Sequence, residues 1–447
     1  MTRMKESGID WIGQIPEEWV IVKFKYLFNT SKGLSITKEY LVDEGIPVIN
    51  YGQIHSSLTK QVQSCDVRLP FVANYYLSKK GVKLNQGDFV FADTSEDLEG
   101  AGNFSTRLDS TGQLLAGYHT IIARLNDYDE HDFRYFMYLF DSLAIRKQIQ
   151  NKVSGVKVYS VTQGILNSIF VIIPPKNEQQ KIADFLDKKT AQLDKVKALL
   201  EEQIQKLKDY RASLIYETVT KGLDKIVPVK DSGIDWIGQV PEEWGVSRLK
   251  YLANKIGSGK TPLGGSEIFE ETGILFIRSQ NIYNGLILLE DKATYINRNI
   301  HQQMIGTCVK KNDILLNITG ASIGRVAKYD LDIEANVNQH VCIIRSNRYV
   351  LPDYLMYFIM SEFGQFMIKT HQISGNREGL SFENIGNFKI IAPGLDYQYE
   401  ISQYLNKKML TINQMIKTKE QQIANINKQR QTLIYDYVTG KKRGKEI

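Results

Sequence analysis

Hydrophobic positions along the chain keep two different rhythms. From Leu193 the apolar or aromatic residues Val196, Leu200, Leu207, Tyr210 and Leu214 fall at alternating steps of three and four. Gln203 fills one slot with Ile204 beside it, and neither Pro nor Gly interrupts Asn177 to Lys221. This heptad spacing predicts a long helix with a narrow stripe, which suits helix-on-helix packing better than one face laid on a globular core. A second stretch keeps the spacing at Ile412, Met415, Ile423, Ile426 and Leu433, diluted by Lys419, Gln422 and Gln429. Elsewhere, short β-branched and aromatic runs punctuated by Gly and Asn predict strands at 45–49, 88–91, 273–277 and 313–316. Helical patterns at 132–149 and 353–368 are rich in Tyr, Phe and Met, residues that core packing accounts for.

These elements come in pairs. Ser7 to Trp19 reads SGIDWIGQIPEEW and Ser232 to Trp244 reads SGIDWIGQVPEEW, differing only at Ile15 and Val240. The likeness continues through Lys25-Tyr26-Leu27 and Lys250-Tyr251-Leu252, fades, and returns at Phe185-Leu186-Asp187-Lys188-Lys189 against Tyr404-Leu405-Asn406-Lys407-Lys408. It ends at Leu214-Ile215-Tyr216-Glu217 against Leu433-Ile434-Tyr435-Asp436. The chain is a duplication with alike starts, divergent bodies and alike ends, so the ends should supply architecture and the bodies specificity. Antiparallel packing of the two helices, through Leu193, Val196, Leu200, Leu207 and Leu214 against Ile412, Met415, Ile423, Ile426 and Leu433, would relate the halves by a pseudo-two-fold axis. About 40 helical residues at ~1.5 Å each make a rod of ~60 Å, more than one ~34 Å turn of B-form DNA. The expected fold is α+β: two mixed α/β bodies at 1–174 and 223–393, joined by helical regions at 175–222 and 394–447.

Composition narrows the class. At ~100–200 residues per domain, 447 residues make two to four packed units. With 43% hydrophobic residues, 24% charged residues and ten prolines, the chain folds and is not low-complexity. A net charge of +6 is compatible with a polyanionic partner without demonstrating one. Cys65, Cys308 and Cys342 lie far apart and leave an odd thiol in any disulfide scheme, which points to a reducing compartment, the cytosol. No export leader and no membrane span of ~18 apolar residues is expected.

The loops after equivalent strands carry residue types able to read base edges or grip phosphates: Asn50, Tyr51, Gln53, Thr94 and Ser95 in the first body, and Arg278, Gln280, Asn281, Thr319, Ser322 and Arg325 in the second. His119 and His340 precede matching Ile-Ile pairs, where a strand-edge role or a DNA hydrogen bond fits each. Ser-Gly turns lead to Lys157 and Tyr159, and to Asn376 and Arg377, placing a basic residue where a backbone phosphate would be clamped. Lys32, Lys260 and Thr261 complete the DNA-binding set. Gly257-Ser258-Gly259-Lys260-Thr261 suggests a P-loop, yet Asn254 stands where the motif needs glycine and Pro262 follows where its helix should begin. Pro174-Pro175 lacks the flanking Asn and aromatic of an adenine methyltransferase motif, and Pro352-Asp353 lacks the carboxylate and lysine of a nuclease motif. The six histidines show no metal-ligand spacing. No catalytic set and no metal set emerges.

The Trp-Ile-Gly-Gln-x-Pro-Glu-Glu-Trp openings, the helices beginning Glu178-Gln179-Gln180-Lys181-Ile182 and Glu400-Ile401, and the Leu-Ile-Tyr-(Glu/Asp) endings resemble the specificity subunit of Type I restriction-modification enzymes. So do Asp93-Thr94-Ser95-Glu96-Asp97 with Gly117-Tyr118-His119, and Gly320-Ala321-Ser322-Ile323-Gly324. The resemblance implies two target-recognition domains, each reading half of a bipartite site in double-stranded DNA. It implies conserved helices that form an antiparallel coiled coil, fix the spacer and dock two methyltransferase subunits. S-adenosylmethionine would then be held by the modification subunits, and ATP and Mg by the restriction subunit, leaving this chain non-catalytic and without a cofactor. Three other readings stay open: a P-loop-like nucleotide-binding enzyme using Lys260 and Thr261, a coiled-coil adaptor whose bodies bind protein, and the recognition subunit of a Type IIB-like fused system.

Overall fold

The computed structural model describes residues 3–9, 11–155, 157–262, 264–290, 292–372 and 379–442. It divides into two compact units, Met1–Leu200 with Gln421–Ile447, and Glu201–Glu420. Each takes one divergent body, part of the long helix Lys176–Lys221 and part of the long helix Leu395–Val438.

In the first unit a five-stranded sheet runs in the order Phe28–Lys32, Thr120–Leu125, Phe89–Ala92, Phe104–Arg107, Lys60–Val62. Only the last pairing is parallel. Phe89–Ala92 and Phe104–Arg107 are buried along their whole length; the first reads as a continuous apolar run, while the second, Phe-Ser-Thr-Arg, buries polar side chains. Val90 and Ile122 face a core built with Ile49, Ile54 and Leu58. Phe89, Phe91 and Phe104 face the other way, into a cluster of rings with Phe24, Phe28, Phe136 and Phe140. Ring centroids there lie 4.5 Å apart for Phe24–Phe28 and 4.9 Å for Phe89–Phe140.

The second unit repeats the plan. One antiparallel sheet is ordered Ala253–Ser258, Val341–Ser346, Ile314–Asn317, Val326–Lys328, and a smaller one Tyr295–Ile296, Ile274–Ile277, Ala335–Val337, Cys308–Val309. A buried carboxylate anchors the main sheet in both units. Arg124 donates to Asp88 at 2.9 and 2.6 Å, and Arg345 to Asp313 at 2.7 and 2.7 Å.

The two aromatic-rich helical patterns are each broken in the middle. Phe133–Asp141 and Leu143–Gln150 meet at Ser142, and Pro352–Met360 and Glu362–Thr370 meet at Ser361. The buried serine is extended in both places, and its hydroxyl donates back to the carbonyl of Leu139 or Phe358. Such side-chain bonds to the backbone compete with the helix ladder. Tyr135 donates to the carbonyls of Ile172 and Val438, both at 3.1 Å, and Tyr354 to those of Ile391 and Val219 at 2.9 and 3.2 Å. One hydroxyl thus ties the body to the end of a long helix within each unit.

The repeated opening segment folds as a hairpin, Met4–Glu6 with Gln14–Pro16 and Val229–Asp231 with Gln239–Pro241. It ends on a buried tryptophan, Trp19 or Trp244, packed on the glycine that stops a long helix. Gly440 and Gly222 have φ of 70° and 78°, the left-handed turn that closes helices, and a Cβ on Gly440 would come within 2.4 Å of Pro16.

The long helices pair antiparallel within each unit. In the first, the Phe185 ring lies 4.5 Å from that of Tyr437, and Arg430 reaches to 3.9 Å from Asp194. In the second, Lys419 donates to Gln203 at 2.6 Å and Arg211 to Asn413 at 3.1 Å. Two positions expected on the seam are not there: Val196 and Met415 are 47% and 49% exposed, and Tyr210 points outward too. Buried Ile204 and Ile416 and half-buried Lys197 and Arg211 take the inward slots. Arg211 bonds across the seam to Asn413, and at these three places the inward residue is the one after the position the heptad spacing selects. Ile412 is buried, while Leu193, Leu200, Leu207, Leu214, Ile423, Ile426 and Leu433 are half-buried.

Candidate nucleic-acid interface

In the first unit the chain leaves strand Ile46–Ile49 into the short helix Tyr51–His55. Asn50 caps that helix: its Oδ1 accepts from the Tyr118 amide at 3.1 Å, and its own amide donates to Gln53 Oε1 at 3.2 Å. Asn50 is buried, and its Nδ2 finds no partner among the described residues. The cap delivers Tyr51 to the surface, where its ring meets those of His119 at 5.3 Å and Tyr118 at 5.8 Å. Burial pushes the Tyr118 hydroxyl above its usual pKa. His119 adopts a φ of 54°, with Nδ1 3.1 Å from Asp93 Oδ1.

Strand Thr94–Ser95 pairs with Tyr159–Ser160, which brings the turn carrying Lys157 beside the Asp93–Asp97 loop. Ser95 is buried and its hydroxyl donates to the Asp97 carbonyl at 2.7 Å. Tyr51, Thr94, Ser95 and His119 line one cleft of 660 Å³, together with His55, Asp97 and Asn103. His55 Nε2 lies 2.7 Å from the Thr94 carbonyl, which can only accept, so Nε2 carries the hydrogen and Nδ1 accepts from Asn103 at 3.1 Å.

In the second unit Gln280, Thr319, Ser322, Arg325 and His340 line a cleft of 1080 Å³ with Ser279 and Gln339. The Arg325 guanidinium lies over the Tyr283 ring at 5.0 Å, leaving its edge available to a planar acceptor. His340 is held on both sides, Nδ1 by the Thr319 hydroxyl and Nε2 by Gln339 at 3.1 Å. Ser and Thr hydroxyls, an amide, an imidazole and a guanidinium converge here, the donors and acceptors that base edges and phosphates need.

Other expected residues serve the frame. Gln53 completes the Asn50 cap. Asn281 is buried, with its amide on the carbonyls of Leu288 and Lys292 at 2.9 and 3.0 Å. Arg278 stacks on Phe269 at 5.3 Å and donates to Thr294 at 2.6 Å. Lys32, Lys157, Lys260 and Thr261 are exposed, Tyr159 is half-buried, and none of the five lines either cleft. Asn376 and Arg377 lie outside the described residues. Gly259 has a steric reason unrelated to phosphate: a Cβ there would fall 1.7 Å from the Val337 carbonyl oxygen. After Thr261 the next helical element described is the 3₁₀ turn Gly265–Ile268, so no P-loop helix is formed. Sequence reasoning missed His55 and Asn103; the signal for His55 was its place one helical turn after Tyr51. Among the described residues no group of three or more His, Cys, Asp or Glu could hold a metal ion, and no helix is long and apolar enough to cross a membrane.

The chain and its fold have counterparts among known proteins. Residues 16–208 and 241–425 each match the family described as Type I restriction modification DNA specificity domain. The chain is 24% identical to the putative type I restriction enzyme MjaX specificity subunit of Methanocaldococcus jannaschii, covering 97% of this chain and 96% of that protein. It is 27% identical to the type I restriction enzyme EcoBI specificity subunit of Escherichia coli, over 96% of this chain and 87% of that one. Its fold is similar, with a TM-score of 0.67 and 15% identity, to a chain solved in a study of complex assembly and conformational transition of the type I R-M system, over 95% of this chain and 99% of that chain. The chain belongs to the type I restriction-modification DNA specificity family. It is a specificity subunit, a DNA-recognition component whose system keeps its catalytic activities in other subunits.

Proposed function

We propose that each unit reads one half of a bipartite DNA sequence through its cleft, with 1–174 and 223–393 as the two recognition domains. The observation that carries this is the repeated placement of the clefts. In both units one is built from the loop after the strand Ile46–Ile49 or Ile274–Ile277 and the histidine before the strand Thr120–Leu125 or Val341–Ser346. The fillings differ, tyrosine and acidic groups against arginine and amides, as two different half-sites require. Contact residues in this reading are Tyr51, Thr94, Ser95 and His119 for one half-site, and Gln280, Thr319, Ser322, Arg325 and His340 for the other.

The paired helices set the spacer and dock two methyltransferase subunits, which bind S-adenosylmethionine, while the restriction subunits bind ATP and Mg. The complex works in the cytoplasm. The test is to exchange residues 30–170 for those of another family member and map methylated adenines in a host carrying the full system. One half-site should change and the other persist. A change in both, or in neither, overturns the division of labour.

A further inference from the structure

Beside the Tyr51 cleft, and sharing Glu99 and Asn103 with it, lies a second cavity of 960 Å³ in the first unit. Its walls carry six cations, Lys60, Arg68, Arg146, Lys147, Lys197 and Arg430, against three carboxylates, Glu99, Asp141 and Asp194. Asp141 is shared by two of them, Lys60 at 2.7 Å and Arg430 at 3.0 Å. Burial pushes Lys60 and Arg146 below their usual pKa, and for Lys60 the neighbouring Arg430 and Arg146 add to the fall. The cavity therefore gathers positive charge, with Lys60 and Arg146 drawn partly out of bulk water and Lys147 and Arg68 at its open side.

The backbone gives a second, independent sign. Lys60 has a φ of 78°, a left-handed conformation costly for a residue with a side chain. Lys60 pairs in parallel with Ser105, and Gly285 bridges Ala327 in the same way in the second unit, with a φ of 85°. A Cβ on Gly285 would meet Met360 Sδ at 3.3 Å, and Met360 ends its helix one residue before Ser361, as Asp141 does before Ser142. The Lys60–Asp141 pair thus stands where the duplicate has Gly285 and Met360, and Arg146 and Lys147 stand where it has Gln365 and Phe366. Strain kept where glycine serves the duplicate is an outlier of the kind that marks function.

We propose that this cavity is a phosphate clamp: the backbone of the duplex read by the Tyr51 cleft continues into it and seats phosphates against Lys60, Arg146 and Lys147. The clamp belongs to one unit only, and it rests on the DNA-recognition reading above. The test measures binding of the full chain to a fluorescein-labelled 40-base-pair duplex by anisotropy across a series of NaCl concentrations. Removing one cation from a phosphate should lower the slope of log K against log salt by about 0.9, so Arg146→Gln/Lys147→Gln should lower it by about 1.8. Lys147→Glu, on an exposed side chain, probes the same cavity without disturbing packing and should lower it by about 1. Lys369→Gln, exposed on the matching helix of the second unit, should leave it unchanged. An unchanged slope in both first-unit variants, or an equal drop per charge from Lys369→Gln, overturns the clamp and leaves DNA recognition standing. A wild-type chain that binds no duplex overturns both.

Discussion

The two units share a frame and fill it with different chemistry. Where the first has Phe24, Phe28, Phe89, Phe91, Phe104, Phe136 and Phe140, the matching positions of the second are Leu249, Ala253, Ile314, Leu316, Val326, Leu355 and Ile359. Two sets of buried polar contacts did not drift in this way. The Asp88–Arg124 and Asp313–Arg345 pairs and the Tyr135 and Tyr354 hydroxyls keep the same partners in both units. Apolar filling is exchangeable while total volume and pattern are kept, whereas a buried polar group must keep its partners or leave them unsatisfied. The fold is therefore held in register by a few directional contacts, and its bulk is free to vary.

The largest effect should come from the aromatic core. Phe140 lies within 6.1 Å, ring centroid to centroid, of Phe24, Phe28, Phe89, Phe91, Phe104 and Phe136. Phe140→Ala should cost about 3–5 kcal/mol, and Ile359→Val at the matching aliphatic position about 0.5–1.5 kcal/mol. Urea unfolding followed by circular dichroism measures both, and equal costs would break the contrast between the cores.

Next come the shared carboxylates. Asp88→Ala and Asp313→Ala each leave an arginine and a turn amide without their acceptor. Each should cost about 2–3 kcal/mol, less than for a fully enclosed pair, because Arg124 and Arg345 keep 37% and 26% of their side chains in solvent. A shared frame requires the two costs to agree. Destabilisation in one unit only, read from the same urea curves, would show that the second pair is ornamental. The tyrosine hydroxyls should follow with smaller effects: Tyr135→Phe and Tyr354→Phe each strand two carbonyls, for about 1–2 kcal/mol.

Much of this frame was legible in the sequence because it is written twice. The SGIDWIGQ repeat, its buried Trp19 and Trp244, and the strands at 45–49 and 273–277 declared themselves by recurrence and period. The helix seam was legible in direction but not in register. Following the three-and-four spacing selects Val196, Met415 and Tyr210, while the folded seam turns Lys197, Ile416 and Arg211 inward, and for Arg211 the partner is Asn413 of the other helix, which spacing along one helix does not reveal. The breaks at Ser142 and Ser361 were hidden because a serine inside an apolar run carries little pattern. In the clefts, loop polarity pointed to the right segments but could not separate Tyr51, which reaches the surface, from Asn50, which caps beneath it. That distinction depends on a turn closed by Tyr118, 68 residues away. Lys60 was invisible for the same reason: its meaning lies in a backbone angle and in its match with Gly285.

That match supplies the finest test of the comparison. Lys60→Gly puts into the first unit the residue the second already has, in the conformation it already adopts. Relief of the left-handed strain should stabilise by about 1 kcal/mol, offset in part by loss of the Lys60–Asp141 ion pair. Asp141 would not be stranded, since Arg430 still donates to it at 3.0 Å. The net gain should be a few tenths of a kcal/mol up to about 1 kcal/mol in urea unfolding. The reverse change, Gly285→Lys, should destabilise, because it adds the strain and crowds Met360 with no carboxylate to receive the charge. If Lys60→Gly instead lowered stability by as much as Gly285→Lys, Lys60 would be a structural member of its strand, and the difference between the units at this position would be one of packing and not of charge.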